Sequence, residues 1–220
     1  TASPWCCKAA ARCIHGGGTL VHDPMDRLTI PGVIRRIDEQ TGGGDVSVAF
    51  AWAPDGSRIL GHEVVVRASQ VDAWSAFTTA EGWRSWATPY VTLSTPQLAF
   101  DAEFESSYNL DAVAGDVRNI RHRVLAFVPE RMFAFHTTQS PKGFPYPEEV
   151  RRVFSVVEFE PVARNRTRIR LSMIGYGTGT GFDGLYNFFA KGNPWSLAKL
   201  AERFETGPVD WKKALEKPAH

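Results

Sequence analysis

YGTGTGFDGLYNFFAKGNPWSLAKLAERF, residues 176–204, is the stretch in which a strand ends, a glycine-rich turn follows and a long aromatic helix begins. Its apolar residues Phe182, Leu185, Tyr186, Phe189, Leu197, Leu200 and Phe204 recur at three- and four-residue steps, so on a helix they form one broad stripe. A stripe that wide needs a large surface to cover it. The segment before it, from about Val150 to Met173, reads as two strands, and the natural partner is a curved antiparallel sheet gripping the helix with a cavity between them. Pro194 interrupts the pattern, because a proline inside a helix clashes with the preceding turn. Asn193 is a good cap and Pro194 suits a first helical position, so a break or kink is expected near Gly192 and Asn193. It would divide a cavity-covering front half from a core-packing rear half.

Working outward, the chain has 220 residues and 43% hydrophobic content, enough for one sizeable domain plus an extension. The net charge is +1, with Lys and Arg scattered among acids, which leaves no electrostatic footprint for DNA or RNA. Apolar runs are strand-length, well short of the roughly 20 residues a bilayer crossing needs, and the N-terminus lacks a signal peptide's apolar centre. Residues 1–44 read as a poorly ordered extension, with glycine triplets at 16–18 and 42–44 and all three cysteines at Cys6, Cys7 and Cys13. Structural zinc needs two spaced ligand pairs, and adjacent cysteines do not make one, so no metal is expected. The core region has no cysteine, which favours a reducing, cytoplasmic compartment. Leu28 to Ile37 reads equally as a helical turn or a strand.

From Asp45 the pattern sharpens. Val46, Val48, Phe50 and Trp52 alternate with small or polar residues, Pro54-Asp55-Gly56 makes a turn, and Ile59 to Arg67 is strand-like, which predicts a hairpin. Ser69 with Asp72 three residues on is a capping arrangement for a short helix in which Val71, Trp74 and Phe77 point one way. A second short helix, capped at Thr79, carries Trp83 and Trp86. Further strands are expected near 90–93, 97–108, 118–127, 131–138, 150–160 and 166–176. Between Ser140 and Glu149, Pro141, Pro145 and Pro147 with Phe144 and Tyr146 form a stiff aromatic loop suited to be a lid. The main domain spans 45–206, including an extra N-terminal strand, and 207–220 reads as a tail.

Several of these segments carry a resemblance. Glu63 to Trp86, with Ser69-Gln70-Val71-Asp72-Ala73-Trp74 and Glu81-Gly82-Trp83-Arg84-Ser85-Trp86, is similar to the opening of AHSA-type proteins of the SRPBCC superfamily, which includes START and birch-pollen-allergen-like domains. Arg123 to Met132 resembles that family's strand, proline turn and strand, and Gly192 with Trp195-Ser196-Leu197-Ala198-Lys199-Leu200 resembles its C-terminal helix box. The family's usual Gly-Trp is Gly192-Asn193 here, and its common Gly-Gly in the strand after the short helices is absent around Leu98 to Glu103. The resemblance covers about Arg58 to Thr206. It implies an α+β helix-grip fold, about seven antiparallel strands curved around the last helix, with two short helices after the first strand. It also implies binding of hydrophobic small molecules, in some relatives cyclisation or hydration chemistry, and in others co-chaperone action.

The chemistry is sparse. Gly179-Thr180-Gly181-Phe182-Asp183-Gly184 matches GxGxxG, but no strand and no ribose-binding acid follow the helix, so a dinucleotide cofactor is rejected and no cofactor is expected. Backbone donors of this turn suit an anionic ligand group. His62-Glu63-Val64-Val65-Val66 lacks the second histidine of a zinc-protease helix and reads as a strand, and no GxSxG elbow exists. His122 and His136 lie on adjacent predicted strands and are the candidates for general acid or base, against a plain structural role. Arg118, Arg121 and Arg123 read as a solvated outer face, with a ligand-carboxylate clamp as the alternative. The aromatic residues Trp83, Trp86, Tyr108, Phe135, Phe144, Tyr146, Tyr176, Phe182, Tyr186 and Phe189 are candidate pocket lining. Tyr108, Tyr176 and Tyr186 together would supply polar points inside an apolar pocket. The expected function is binding of a small apolar or aromatic molecule, with a cyclase, dehydratase or aldol-type enzyme as alternative and a protein-interaction role, for which no surface is marked, as a third.

Overall fold

The computed structural model describes residues 34–35, 46–52, 57–95 and 97–216. Cys6, Cys7 and Cys13 and the Pro54-Asp55-Gly56 turn lie outside the described residues, as does all of the extension apart from 34–35. In chain order the elements are β1 (Ile34–Arg35), β2 (Val46–Trp52), β3 (Arg58–Val66), α1 (Gln70–Thr78), α2 (Ala80–Arg84), β4 (Tyr90–Leu93), β5 (Glu103–Ser107) and β6 (Ile120–Val128). They continue with β7 (Met132–Gln139), α3 (Pro147–Val150), β8 (Phe154–Ala163), β9 (Arg166–Tyr176), α4 (Thr180–Thr206) and α5 (Trp211–Glu216). The strands form one antiparallel sheet in the order β1-β2-β3-β9-β8-β7-β6-β5-β4. Seven of them, β3 to β9, make the sheet that grips α4. β2 extends its edge as the second arm of the expected hairpin, and β1 settles the open reading of 28–37 as strand for Ile34 and Arg35.

Local chemistry explains the short helices. The Ser69 hydroxyl accepts from the Asp72 amide at 3.1 Å and donates to the Asp72 carboxylate at 2.6 Å, while Thr79 accepts from the Gly82 amide at 2.9 Å. Each bond satisfies a donor the helix start would otherwise orphan. Val71 departs from the expected inward stripe: it is 54% exposed, and α1 buries Ala73, Ala76 and Phe77 instead. Gly82 is where α2 crosses α1, because a Cβ there would collide with the Ser75 carbonyl and approach the Ala76 Cα to 2.8 Å.

Along β3, Leu60, His62, Val64 and Val66 face α4, while Glu63 lies on the opposite face in ion pairs with Arg168 (3.1 Å) and Arg170 (3.2 Å) of β9. The inner face feeds two apolar clusters. One joins α1 and α2 to the sheet and to Leu197, Leu200 and Ala201 of α4. The other joins Leu60, Val150, Val153, Met173 and Tyr176 to Phe182 and Leu185. Leu185, Leu197 and Leu200 are at most 1% exposed, so each contributes about 1.5–3 kcal/mol by burial.

The expected break at Gly192 and Asn193 does not occur. α4 runs without interruption from Thr180 to Thr206 with Pro194 inside it. Packing overrides the local preference, because both halves of the helix are clamped by apolar contacts to the same sheet. The division survives as a boundary between clusters: Phe182 to Ala190 pack in the second, Leu197 to Phe204 in the first. Two of the three glycines of the GxGxxG match, Gly181 and Gly184, serve close packing, whereas Gly179 has open space around it and a left-handed φ of 105°. A Cβ on Gly181 would strike the Glu149 side chain, and one on Gly184 would strike the Tyr146 ring. They let the 140–150 segment lie directly on the first turns of α4. After α4 the chain continues into α5, whose Trp211 is buried and donates its indole N–H to the Arg84 carbonyl at 2.6 Å. No helix among the described residues is long and apolar enough to cross a membrane.

Candidate functional site

The inner face of β5, β6 and β7 places one histidine among aromatic rings. His122 of β6 stands between Phe104 of β5, stacked at 4.6 Å between ring centroids, and Phe135 of β7, edge-on at 5.4 Å. Trp83 stacks on Phe104 at 5.7 Å and on Trp86 at 5.3 Å, so two tryptophans from α2 and its C-terminal flank complete the wall. The imidazole has two polar neighbours: Ser106 Oγ lies 3.3 Å from Nε2, and Thr137 Oγ1 lies 3.3 Å from Nδ1. Both contacts are long for hydrogen bonds, and since a hydroxyl both donates and accepts, they serve either neutral tautomer. Burial pushes the His122 pKa down to about 3, with the nearby His136 lowering it further. At pH 7 the ring is therefore neutral.

His136 sits on the other face. Its cross-strand partners are Arg123 of β6 and Phe154 of β8, whereas His122 pairs with Thr137 and Phe104. Cross-strand partners share a face, and Arg123 points outward to Glu103 at 2.9 Å. The two histidines are thus not convergent. Arg121 likewise pairs with Glu105 at 3.1 Å and shares Glu103 with Arg123, while Arg118 pairs separately with Asp116 at 2.6 Å, so all three arginines are taken up in ion pairs and none points into the helix-grip interior.

The sequence-derived aromatic residues separate into groups. Phe135 lies against His122, Trp83 packs on Phe135 and Phe104 behind it, and Trp86 stacks on Trp83. Phe144, Tyr146, Tyr176, Phe182, Tyr186 and Phe189 gather around the first half of α4. Phe144 meets Phe188 edge-on at 5.3 Å, which seats the proline-rich loop on α4. Tyr176 is 1% exposed and meets Tyr186 edge-on at 5.1 Å; the Arg58 guanidinium lies over the Tyr186 ring at 5.0 Å and binds Asp183 at 2.7 Å. Burial raises the pKa of both phenols, with Tyr186 raising that of Tyr176 and Arg58 lowering each. Tyr108 stands apart from this pair: its ring is 45% exposed at the start of the β5–β6 connection, and its hydroxyl lies against Ser196 in the second half of α4.

Sequence reasoning did not single out Phe104, Ser106 and Thr137, nor His62 as an interior residue. The period-two alternation Leu60, His62, Val64, Val66 was the signal that places His62 on the α4 side. Among the described residues no group of three His, Cys, Asp or Glu side chains converges as a metal site.

No known family profile matches the sequence, and no curated protein matches it. Solved structures do match in shape. The Aha1 dimer from Colwellia psychrerythraea aligns with a TM-score of 0.50 at 17% identity, covering 68% of this chain and 97% of that one. Protein MLL2253 from Mesorhizobium loti aligns with a TM-score of 0.53 at 16% identity, covering 69% and 100%. CalU16 from Micromonospora echinospora aligns with a TM-score of 0.51 at 14% identity, covering 78% and 80%. With a seven-stranded antiparallel core, two short helices after its first strand and a long C-terminal helix laid across it, this chain has the helix-grip fold that it shares with these structures.

Proposed function

We propose that the chain binds a small aromatic or otherwise apolar molecule carrying one or more polar functions, held between the sheet and α4 with His122 as one polar anchor. The observation that carries this reading is the setting of His122: a neutral imidazole facing the interior, flanked by Phe104 and Phe135 with Trp83 packed behind them, and tied to Ser106 and Thr137 only by long contacts. Apolar walls with a few fixed polar groups are what a site for such a ligand requires. The same setting argues for binding over acid-base turnover. With its pKa pushed well below the ordinary imidazole value by burial, His122 is neutral at pH 7, so it is a poor general acid, and its low basicity makes it a weak base.

The test is fluorescence titration with 1-anilinonaphthalene-8-sulfonate, followed by displacement with aromatic acids, phenols and fatty acids, and native mass spectrometry of the purified protein for a retained ligand. His122→Leu is expected to weaken the displacing phenols about tenfold, the loss of one good hydrogen bond in a dry site. Phe135→Ala should weaken all ligands. Failure of the dye to bind, or binding indifferent to both substitutions, would overturn the reading.

A further inference from the structure

Among the described residues, His62 is the buried histidine that the site above does not use. It is 1% exposed on the inner face of β3, and neither ring nitrogen is hydrogen-bonded among the described residues. Burial lowers its pKa, and the Ala190 backbone of α4 lies close enough to the imidazole to raise it slightly, at a geometry short of a formed bond. The Ala190 carbonyl is four residues before Pro194. In an α-helix the amide of residue 194 would bond it, and proline has no N–H, so Ala190 has lost its intrahelical donor.

Two more polar groups converge on this point with weak partners. Asn193 directs its amide nitrogen at the thioether of Met173, 3.3 Å away, and the Tyr176 hydroxyl donates to the same sulfur at 3.7 Å. A thioether is a weak acceptor. Met173 is the cross-strand partner of Leu60, two residues from His62 on the same face, and Asn193 lies one helical turn from Ala190. The spot is also the boundary between the two apolar clusters, where the front and rear halves of α4 part company. Four polar groups from three elements thus surround one place in an otherwise apolar interface, each short of a good partner.

We propose that His62, Asn193, Tyr176 and the Ala190 carbonyl form a polar subsite that takes a single hydroxyl-type oxygen, accepting from and donating to the surrounding groups. An oxygen of this kind makes about two to four hydrogen bonds in a protein interior, and the subsite offers up to four partners. The oxygen belongs either to a resident water or to the hydroxyl of a bound apolar ligand. The ligand form rests on the binding role proposed above, and the water form does not. The neutral state of His62, whose pKa burial lowers to about 4, leaves one ring nitrogen to donate and the other to accept.

Two measurements decide it. In the ligand-free protein, long-range proton–nitrogen NMR of the His62 ring with a water cross-relaxation experiment should show one neutral tautomer and a cross-peak to a long-lived water. In the second, 2-naphthol and its methyl counterpart 2-methylnaphthalene are compared by displacement of 1-anilinonaphthalene-8-sulfonate. If the subsite takes the ligand's hydroxyl, the wild type prefers 2-naphthol about five- to tenfold over the preference left in His62→Leu, with affinity for 2-methylnaphthalene retained. Asn193→Leu should give a similar loss and guards against a misfolded histidine variant. A water cross-peak that persists under saturating 2-naphthol assigns the oxygen to water, and one that vanishes assigns it to the ligand. Absence of the cross-peak together with an unchanged naphthol preference in both variants would overturn the subsite. If neither naphthalene binds, the ligand-binding reading fails while the cross-peak still decides whether the oxygen site exists.

Discussion

His62 and His122 make the folded protein sensitive to acid in a direction that their surroundings dictate. Each is held neutral by burial, with pKa values of about 4 and about 3 against 6.5 in the unfolded chain. A depressed histidine pKa means that the unfolded state binds the proton more readily, so the contribution to stability is complete above pH 6.5. It is lost as pH falls from 6.5 towards 4 for His62 and towards 3 for His122. Each histidine steepens the fall by up to about 1.4 kcal/mol per pH unit inside its window. Urea denaturation at pH 7.5, 5.5 and 4.5 should show this loss, and His62→Leu and His122→Leu should each flatten it. Equal slopes in wild type and both variants would rule the effect out. The parity of the histidines was only partly legible in sequence. His62 falls into step with Leu60, Val64 and Val66, whereas the relation of His122 to His136 depends on β6, whose pairing with β7 shifts register between Arg121 and His122 and again between Val124 and Ala126. A shift of one residue moves a side chain to the opposite face, and no periodicity in the string marks where that happens.

At the scale of single elements, caps and close approaches carry the predictions. Gly82→Ala places a methyl group where α2 crosses the Ser75 carbonyl and the Ala76 Cα, so it should destabilise by about 1–3 kcal/mol through overpacking, seen as a lower urea midpoint with unchanged slope. Pro194→Ala acts in the other direction. An interior proline costs about 3 kcal/mol relative to alanine, and the substitution gives Ala190 back its donor. Loss of the proline also loosens the unfolded chain by about 0.4–1 kcal/mol, so a net stabilisation of about 2–2.6 kcal/mol is expected. A decrease in stability would mean that the proline packs favourably against neighbours that alanine cannot replace. The caps at Ser69 and Thr79 were readable from sequence because their partners are three residues away. The fate of Pro194 was not, because Asn193-Pro194 is also a good helix start, and only clamping of both flanks onto one sheet selects continuity.

Across the whole molecule, α5 ties the chain's last described turn back to the two short helices. The Trp211 indole donates to Arg84 O, and the Val209 amide donates to Ser85 O at 2.9 Å. Trp211→Ala should cost about 1–3 kcal/mol, less than the 3–5 kcal/mol typical of a central aromatic residue, because a terminal helix can undock alone and cap the loss. Hydrogen exchange should quicken selectively at Val209 and in α5. Uniform acceleration over the sheet would show instead that α5 is part of the global cooperative unit. This contact joins residues 127 apart in sequence, and the 207–220 segment reads as a tail for that reason. What the sequence determined by itself is the local and periodic part: the α4 stripe, the capped helices and the strand runs, each of which follows from spacings of two, three or four residues, while the helix-grip architecture came from the resemblance those segments carry. Tertiary structure alone decided that α4 passes Pro194 unbroken, that His122 and His136 face opposite ways, that the tyrosines divide between two places, and that His62 meets the carbonyl Pro194 leaves unpaired. Those outcomes depend on strand register and on packing between elements far apart in the chain, where free energies of a few kcal/mol override local preference and leave no periodic trace.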